Sequence, residues 1–407
     1  MEFLLYIYLG YMFISLYFLS FYFLLYLRNR KSLFESPKLK KHFSVSILVP
    51  AYNEEDVIEE TVDSIFHSDY DNILEVIVIN DGSKDRTAEI VKKLMKRYPK
   101  LKLLNKSNSG KADSLNKGID ISKGELVAVV DSDSFPNKDA IRKLVGFFED
   151  EEVGAATCPI HARNNKRFFE KLQAIEYVVI GLTRKLLEGV DAIYVTPGPL
   201  ALYRKETLIE LGGFDSKNLT EDIELTWHLA LKNWKRRMCL STRVTTVVPK
   251  TYKAWFKQRQ RWSMGGLQSI LKYRKNFMKK GIFGYFILPF FVLSSFLGLL
   301  GLSIFSYLLI TRVLKEYFFI KFSFLADTAI ISTNQFYFTP SVLNYLGIVL
   351  FIFGAIFTIL VLALMNQEVL GKRNIFKILV YLVLYLTMYP FIQVTAMYKL
   401  IKKDMSW

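Results

Sequence analysis

The residue types best suited to chemistry in this sequence stand in three short clusters, each directly after a run of apolar residues. The clusters are Tyr52-Asn53-Glu54, Asn80-Asp81-Gly82-Ser83 and Asp131-Ser132-Asp133. Any one of them alone is typical of a turn or a helix cap, because Asn, Asp, Gly and Ser favour both. If the apolar runs are parallel strands of one sheet, however, the clusters converge on one crevice. The joint arrangement favours a ligand site.

Asp131 and Asp133 are two residues apart, so on an extended segment their carboxylates project to the same side. Carboxylate oxygens suit Mg²⁺ or Mn²⁺. Such a cation neutralises the charge that develops on a diphosphate leaving group. An isolated Asp-x-Asp in a solvated loop has no such role, so the metal site depends on the strand that precedes it.

The elements that must position these residues lie between about residues 42 and 280. Residues 45–49, 75–80, 101–104 and 126–130 are β-rich runs of strand length, and the amphipathic stretches 61–66 and 87–98 lie between them. This alternation predicts an α/β domain with a mostly parallel sheet and helices on both faces. Ligands of such sheets bind beyond the carboxyl ends of the strands.

The chain as a whole is more apolar than a soluble protein of this size needs to be, since hydrophobic residues make up 51% and the mean hydropathy is +0.21. Segments 3–27, 282–310, 341–365 and 375–398 are each long enough to span a bilayer. In the first, the basic residues follow the apolar run, which is typical of an anchor rather than a cleaved signal peptide. We expect about four transmembrane helices in the cell membrane, with the catalytic domain in the cytoplasm.

Basic blocks at 28–41 and 250–280 flank the domain and support this orientation. Four spans place the Lys372–Arg373 loop inside and the C-terminus outside, although the tail carries Lys399, Lys402 and Lys403. A fifth span within 317–331 would bring the tail inside, but Lys321 and Asp327 make it costly in lipid. The predicted divisions are an N-terminal helix with its basic flank at 1–41, the domain at 42–250, an amphipathic interfacial segment at 251–281 and a membrane region at 282–407.

The net charge of +16 does not require a nucleic-acid partner, because much of it lies beside the predicted spans, where it meets membrane lipid. Cys158 and Cys239 form neither a disulfide framework nor a zinc pattern, so we expect both to be small core residues. The four histidines are too dispersed to predict a metal cluster.

Several motifs occur in a fixed order along the chain. They are Val49-Pro50-Ala51-Tyr52-Asn53-Glu54, Asn80-Asp81-Gly82-Ser83, Gly110-Lys111-Ala112, Asp131-Ser132-Asp133, Thr220-Glu221-Asp222 and Gln258-Arg259-Gln260-Arg261-Trp262. Together they resemble the family 2 glycosyltransferases, and among these the membrane-bound processive synthases of the cellulose, hyaluronan and poly-N-acetylglucosamine type. The resemblance implies a nucleotide-sugar-binding domain of the GT-A type.

The resemblance also implies roles on the donor side of the site. Tyr52, Glu54 and Asp81 would hold the nucleoside, Asp131 would touch the nucleotide, and Asp133 would ligate Mg²⁺ or Mn²⁺. Carboxylates can accept hydrogen bonds from a uracil N–H and from ribose hydroxyls, which agrees with these roles. Lys111 lies in a glycine-flanked turn where its ammonium could meet phosphate, or it is a simple exposed lysine.

Residues 220–229 have an amphipathic, helix-like pattern in which Thr220 is the predicted N-cap. Glu221 and Asp222 then stand in the first turn, where the helix dipole favours ionised carboxylates, and this alone can explain them. The resemblance makes Asp222 the general base that removes the proton of the acceptor hydroxyl in a single inverting displacement. It places Glu221 near the acceptor and the diphosphate.

Gln258 and Arg261 share a helix face, with Trp262 beside them. By resemblance these three residues bind the acceptor sugar and the diphosphate. The alternative is an interfacial helix, with aromatic rings at the membrane and cations at anionic lipid: Trp255, Phe256 and Trp262, and Lys257, Arg259 and Lys272. Residues 196–204 correspond loosely to a family segment near the acceptor, but Pro197 and Pro199 depart from its usual pattern.

The predicted activity is elongation of a polysaccharide from a UDP-sugar, with N-acetylglucosamine as the preferred unit. Two alternatives stay open. One is transfer of a single sugar to a lipid-linked acceptor such as a polyprenyl phosphate or a glycolipid. The other is a non-catalytic membrane scaffold, against which Asp133 and Asp222 argue because a scaffold needs neither a metal ligand nor a base. An accessory membrane subunit is a further partner that the sequence leaves open.

Overall fold

The predicted strands form in the computed structural model, which describes residues 2–279, 281–326, 342–365 and 375–404. The first four are β1 (Val45–Ala51), β2 (Ile73–Asp81), β3 (Leu101–Lys106) and β4 (Leu126–Val129). The others are β5 (Ser134–Pro136), β6 (Val153–Thr157), β7 (Ile160–Ala162), β8 (Ala201–Arg204), β9 (Lys235–Met238) and β10 (Val244–Thr246).

Seven strands make one sheet in the order β3-β2-β1-β4-β8-β6-β9. All neighbours are parallel except β8, which runs antiparallel to both β4 and β6. Because β1 pairs with β2 on one side and with β4 on the other, the strand order reverses there and a crevice opens at the carboxyl ends. β5, β10 and β7 form a small second sheet beside it. The predicted mostly parallel sheet is confirmed.

Helices cover both faces of the large sheet, which is why every residue of β1 is buried. The helices of the domain are α2 (Ile58–Phe66), α3 (Thr87–Leu94), α4 (Lys111–Ile121), α5 (Ala140–Val145), α6 (Phe168–Glu188), α7 (Lys205–Glu210), α8 (Glu221–Leu231) and α9 (Tyr252–Tyr273). Alternate residues of β1 face opposite layers: Ile47 packs with Val62 of α2, whereas Leu48 packs with Leu115 of α4. Cys158 and Cys239 are buried in the first of these layers, as expected.

Among the residues that the structure describes, four helices are long and apolar enough to cross a membrane, and they agree in number with the prediction. They include α1 (Glu2–Asn29), α10 (Leu288–Leu325), α11 (Val342–Leu364) and α12 (Ile375–Ile401). The second candidate span, Phe283–Leu325, has 43 residues and a π-helical first turn. At 1.5 Å per residue it is about 65 Å long, roughly twice the hydrocarbon thickness.

The predicted end of this span near residue 310 is therefore wrong, because α10 continues without a break to Leu325. No separate helix starts at Tyr317 within the described residues, and 327–331 and the Lys372–Arg373 loop lie outside them.

The domain rests on the membrane helices through α6 and α9. One apolar cluster contains Leu25 of α1, Leu182 of α6, Val361 of α11 and Ile378 of α12. α9 packs against both α12 and α8. The helix that carries the Gln258–Trp262 motif therefore lies between α8 and α12.

Candidate active site

The three polar clusters meet at the carboxyl ends of β1, β2 and β4, as predicted. The backbone N–H of Asn53 donates to Ser83 Oγ at 3.0 Å, which joins the first cluster to the second. Thr61 on α2 donates to the carbonyl of Ser132 at 2.6 Å, which ties the third cluster to the helix that follows the first. Asn53 has a φ of 56°, a conformation that Asn tolerates better than most residues. The chain therefore turns sharply between Tyr52, which is exposed, and Glu54.

Asp81 orders the loop in front of α4. Its carboxylate accepts hydrogen bonds from the N–H groups of Ser109 at 2.9 Å and Gly110 at 2.8 Å, and it pairs with Lys106. Gly110 has a φ of 95°, which a side chain would strain, and it immediately precedes Lys111. Asp81 thereby sets the position from which Lys111 reaches into the crevice.

The Asp131-Ser132-Asp133 segment is a turn, so the prediction of an extended segment is wrong. The N–H of Ser134 donates to the Asp131 carbonyl at 3.0 Å as the chain passes from β4 into β5. Asp133 Oδ1 accepts hydrogen bonds from the hydroxyls of Ser134 and Thr246, each at 3.2 Å. Burial, and then the negative charge of Asp131, raise the pKa of Asp133 to about 6. The turn still brings the two carboxylates close enough to repel each other.

Lys111 bridges the end of β4 and the start of α8. Its ammonium lies 2.6 Å from Asp131 Oδ1 and 2.8 Å from Glu221 Oε1. Burial alone would lower the pKa of Lys111, but the charges of Asp131, Glu221 and Asp222 outweigh it and raise that pKa. The alternative of a simple exposed lysine is therefore wrong.

Gly198 packs against the ion pair of Lys111 and Asp131. A Cβ at residue 198 would lie 2.5 Å from Lys111 Nζ and 2.8 Å from Asp131 Oδ2, so only glycine fits without displacing them. Sequence reasoning linked residues 196–204 only loosely to the acceptor side and missed this contact. The glycine between two prolines was the available signal.

Glu221 and Asp222 begin α8, but Thr220 does not cap it with its side chain. The Thr220 hydroxyl donates instead to Asn218 Oδ1 at 3.2 Å, and the side chain packs against Gly265 of α9. Thr220 therefore holds the predicted N-cap position, but its side chain makes no capping hydrogen bond because it faces Asn218 and Gly265. The N-terminus of α8 is thus set against the helix that carries Trp262.

The two acids have opposite pKa shifts. For Glu221, burial would raise the pKa, but the charge of Lys111 outweighs it and lowers the pKa. For Asp222, burial and then the charge of Glu221 raise the pKa to about 6, although Lys111 opposes the shift. Asp222 accepts one hydrogen bond from the N–H of Ile223 at 2.9 Å. Asp222 is therefore the more basic of two adjacent carboxylates, which is the property a general base needs.

The donor set at the end of β4 fits a hard divalent cation. Burial, and then the charge of Asp133, raise the pKa of Glu54 to about 7, so three acidic side chains, Glu54, Asp131 and Asp133, share one region. Within the described residues no three His, Cys, Asp or Glu side chains are placed so that they could hold a metal ion by themselves. Mg²⁺ does not need one, because it typically keeps one or two carboxylates and completes its shell with phosphates and water.

The motif of residues 258–262 lies on α9, as its spacing predicts. Gln258 Oε1 accepts a hydrogen bond from the Arg259 guanidinium, whose centre lies 4.2 Å from the centroid of the Trp262 ring. Arg261 and Trp262 are both half-buried. Gln258 and Trp262 are therefore joined through contacts with Arg259 on the same helix.

Part of the interfacial-helix alternative is wrong. Arg259 is fully buried in an ion pair with Glu176, and Lys272 pairs with Asp215 at 2.7 Å and with Glu224 at 2.5 Å, so these cations do not meet lipid. Trp255 is buried too. The pattern misled because a helix whose cations pair with acids of neighbouring helices has the same composition as a helix at a membrane surface. Glu176 was missed, although a single acid within the apolar run 174–182 was a signal for a buried pair.

Comparisons with known proteins agree with this geometry. Residues 46–212 match the family model described as "Glycosyl transferase family 2". A poly-beta-1,6-N-acetyl-D-glucosamine synthase of Staphylococcus epidermidis is 29% identical over 310 residues, which cover 75% of this chain and 73% of that protein. The synthase of the same name from Staphylococcus aureus (strain MSSA476) is 32% identical over 248 residues, 60% of each chain.

A solved structure shares the fold over nearly the whole chain. It is a mannosyltransferase from Pyrobaculum calidifontis in complex with GDP-Man and Mn²⁺, and it matches with a TM-score of 0.60 at 22% sequence identity. The match covers 96% of this chain and 98% of the other, so it includes membrane helices as well as the sheet.

Proposed function

We propose that this chain, a membrane-embedded family 2 glycosyltransferase with a GT-A-like fold and the family's domain at residues 46–212, elongates a polysaccharide from a UDP-sugar. UDP-N-acetylglucosamine is the preferred donor, because relatives at 29% and 32% identity are poly-β-1,6-N-acetylglucosamine synthases. Nucleotide sugars are made in the cytoplasm and basic blocks flank the domain, so the domain faces the cytoplasm at the cell membrane.

One observation carries the proposal: the Lys111 ammonium bridges Asp131 and Glu221. Asp131 follows the strand whose end would hold the donor nucleotide, and Glu221 immediately precedes the base. A donor and an acceptor bound on either side of this bridge would be adjacent. Transfer between two bound sugars requires that proximity.

Asp222 acts as the general base. Its raised pKa of about 6 leaves it ionised at neutral pH yet more basic than an ordinary carboxylate. It takes the proton of the acceptor hydroxyl as that oxygen attacks the anomeric carbon. The bond from that carbon to the diphosphate breaks as the new glycosidic bond forms, and the anomeric configuration inverts. Glu221, held ionised by Lys111, accepts a hydrogen bond from the same acceptor sugar.

On the donor side, Tyr52 and Glu54 contact the nucleoside, and Asp81 supports them by fixing the loop before Lys111. Asp131 contacts the nucleotide. Asp133 would hold Mg²⁺ or Mn²⁺, and the chemistry that the ion would supply is neutralisation of the charge developing on the diphosphate. When the donor is bound, Lys111 exchanges a carboxylate partner for a phosphate oxygen.

On the acceptor side, Trp262 stacks on the apolar face of the sugar, and Arg261 contacts the diphosphate. Gln258 lies on the same helix and donates to a sugar hydroxyl. The contact of Thr220 with Gly265 supports this assignment, because it sets the helix of the acceptor residues against the start of the helix that carries the base.

The test is to incubate the purified protein in lipid with UDP-N-acetylglucosamine, UDP-glucose and GDP-mannose separately and to determine product mass. Asp222→Asn is the matched control, because an amide keeps the shape but takes no proton. We expect a polymer from UDP-N-acetylglucosamine with the wild type only. If the product is a single sugar on a lipid acceptor, elongation is wrong and the single-transfer alternative is correct. Donor binding without any transfer would favour the scaffold.

A further inference from the structure

A fully buried ion pair between α6 and α9 is hydrogen-bonded by two tyrosines of the last membrane helix. The Glu176 carboxylate on α6 is 1% exposed, and Arg259 on α9 is 0% exposed. Arg259 donates to both carboxylate oxygens of Glu176. Its Nε lies 3.0 Å from Oε1, and its Nη2 donates to Oε2. From α12, the hydroxyl of Tyr385 donates to Oε2 at 2.7 Å and that of Tyr389 donates to Oε1. Four donors from two helices therefore converge on one carboxylate.

Stability alone is a poor reason for this arrangement. Removing two charges from water is costly, and apolar side chains of similar volume often join helices at least as well. The ion pair instead fixes the orientation of the Arg259 and Glu176 side chains. A bidentate fork fixes the guanidinium plane, and two tyrosine hydroxyls fix the carboxylate that holds it.

The guanidinium plane in turn contacts the proposed acceptor residues. Its centre lies 4.2 Å from the Trp262 ring centroid, and one of its N–H groups donates to Gln258. A fixed cation at this distance from an indole face restrains the ring. Within α12, Tyr389 immediately precedes Pro390, which has no backbone N–H for the helix. The chain of contacts thus runs from the membrane helix to Trp262.

We infer that Glu176, Arg259, Tyr385 and Tyr389 form a positioning network that sets the Trp262 ring and Gln258 from membrane helix α12. The inference rests on the proposed function, in which Trp262 holds the acceptor. It adds that retention of the acceptor depends on hydroxyl groups of α12 that touch neither sugar nor nucleotide. The network acts through Arg259, so its four members are positioning residues.

Removing the two tyrosine hydroxyls should therefore weaken retention of the acceptor without changing binding of the donor. Loss of the two hydroxyls leaves the Glu176–Arg259 charges balanced and both tyrosine rings in place, so the fold persists while the carboxylate loses two of its four donors. We expect the mean product length to fall at least about threefold, because each lost hydrogen bond to a buried charged group is costly. The donor KM should stay within about twofold.

The variant that tests this is Tyr385→Phe/Tyr389→Phe. Tyr381→Phe is the matched control, since Tyr381 lies one turn earlier on the same helix and its hydroxyl makes no hydrogen bond to Glu176 among the described residues. Glu176→Gln is less informative, because it leaves Arg259 buried without a counter-charge and can simply prevent folding. Product length, donor KM and UDP affinity are measured on each protein.

The decisive comparison repeats the double substitution in a Trp262→Ala background. If the network acts through the ring, the tyrosine substitutions shorten the product in the wild-type background and change it less than about 1.5-fold in the Trp262→Ala background. Equal effects in both backgrounds would overturn the inference, as would equal loss with Tyr381→Phe or a donor KM that rises with the fall in length.

The results would differ if the proposed function, rather than the network, were wrong. If the wild type transfers one sugar to a lipid, elongation is disproved, and the network is then tested by the acceptor KM. That KM should rise in the double variant and not in Tyr381→Phe. An unchanged acceptor KM would overturn the network in that case too.

Discussion

The raised pKa of Asp222 predicts a specific pH dependence for transfer. An ordinary aspartate has a pKa near 3.8, whereas burial and the adjacent Glu221 raise that of Asp222 to about 6. A base must be ionised to accept a proton, so transfer should fall as the pH drops through that value. From about 91% ionised at pH 7, Asp222 would be about 9% ionised at pH 5, so the transfer rate should fall about tenfold. With an ordinary pKa the loss would be under about 10%.

Substitutions of two charged neighbours of Asp222 should move the acidic limb of the pH profile in opposite directions. Glu221→Gln removes the charge that raises the Asp222 pKa, so the acidic limb should move to lower pH. Lys111→Met removes a charge that lowers it, so the limb of any residual activity should move to higher pH.

The assay is initial transfer rate against pH, with donor and divalent cation saturating at every point. Saturation matters because Glu54 and Asp133 also have raised pKa values, about 7 and about 6, and a bound cation would lower both. Asp222→Asn should lose about 10²–10⁴-fold in rate and lose the limb altogether. A wild-type limb near pH 4, or one that Glu221→Gln moves upward, would refute the assignment of Asp222 as the base.

Three further expectations follow from the proposed site. Chelation should abolish transfer, added Mg²⁺ or Mn²⁺ should restore it, and Asp133→Asn should lower the rate at least about 100-fold; a wild-type rate in metal-free buffer would contradict this role. Trp262→Ala should shorten the product more than it weakens UDP binding, and full-length polymer at the normal rate would leave Trp262 without an acceptor role. Lys96→Cys, at an exposed position, should react with an impermeant thiol reagent only after permeabilisation, with the buried Cys158 and Cys239 giving little background; labelling of intact cells would reverse the topology.

The sheet and the location of the site could be predicted from the sequence because both depend on local pattern. Short β-rich runs alternate with amphipathic stretches, and parallel strands all end at the same edge. Polar residues after three such runs must therefore meet, and contacts such as that of Asn53 with Ser83 show that they do. Four apolar segments were visible for the same reason, since length and composition alone make a helix able to cross a bilayer.

Contacts between distant segments could not be predicted this way. From the sequence alone, Arg259 is one of several cations on an amphipathic helix, and its partner Glu176 is 83 residues earlier in the chain. The turn at Asp131-Ser132-Asp133 depends on the start of β5, which pairs with β10 more than a hundred residues later. Thr220 has the sequence of a cap, but packing against Gly265 decides where its hydroxyl points. In each case tertiary packing overrides a correct local preference.

The charges of the crevice explain how two kinds of carboxylate can work side by side. After burial, the strongest influence on Asp133 is Asp131, whereas the strongest influence on Asp222 is Glu221. A divalent cation shared with the donor phosphates would therefore relieve the repulsion at the end of β4 and lower the pKa of Asp133. The negative charge that adds to burial in raising the pKa of Asp222 would remain, because Glu221 belongs to α8 and is held ionised by Lys111. In the proposed mechanism, this bridging lysine would let the donor side bind a cation while Asp222 keeps its raised pKa.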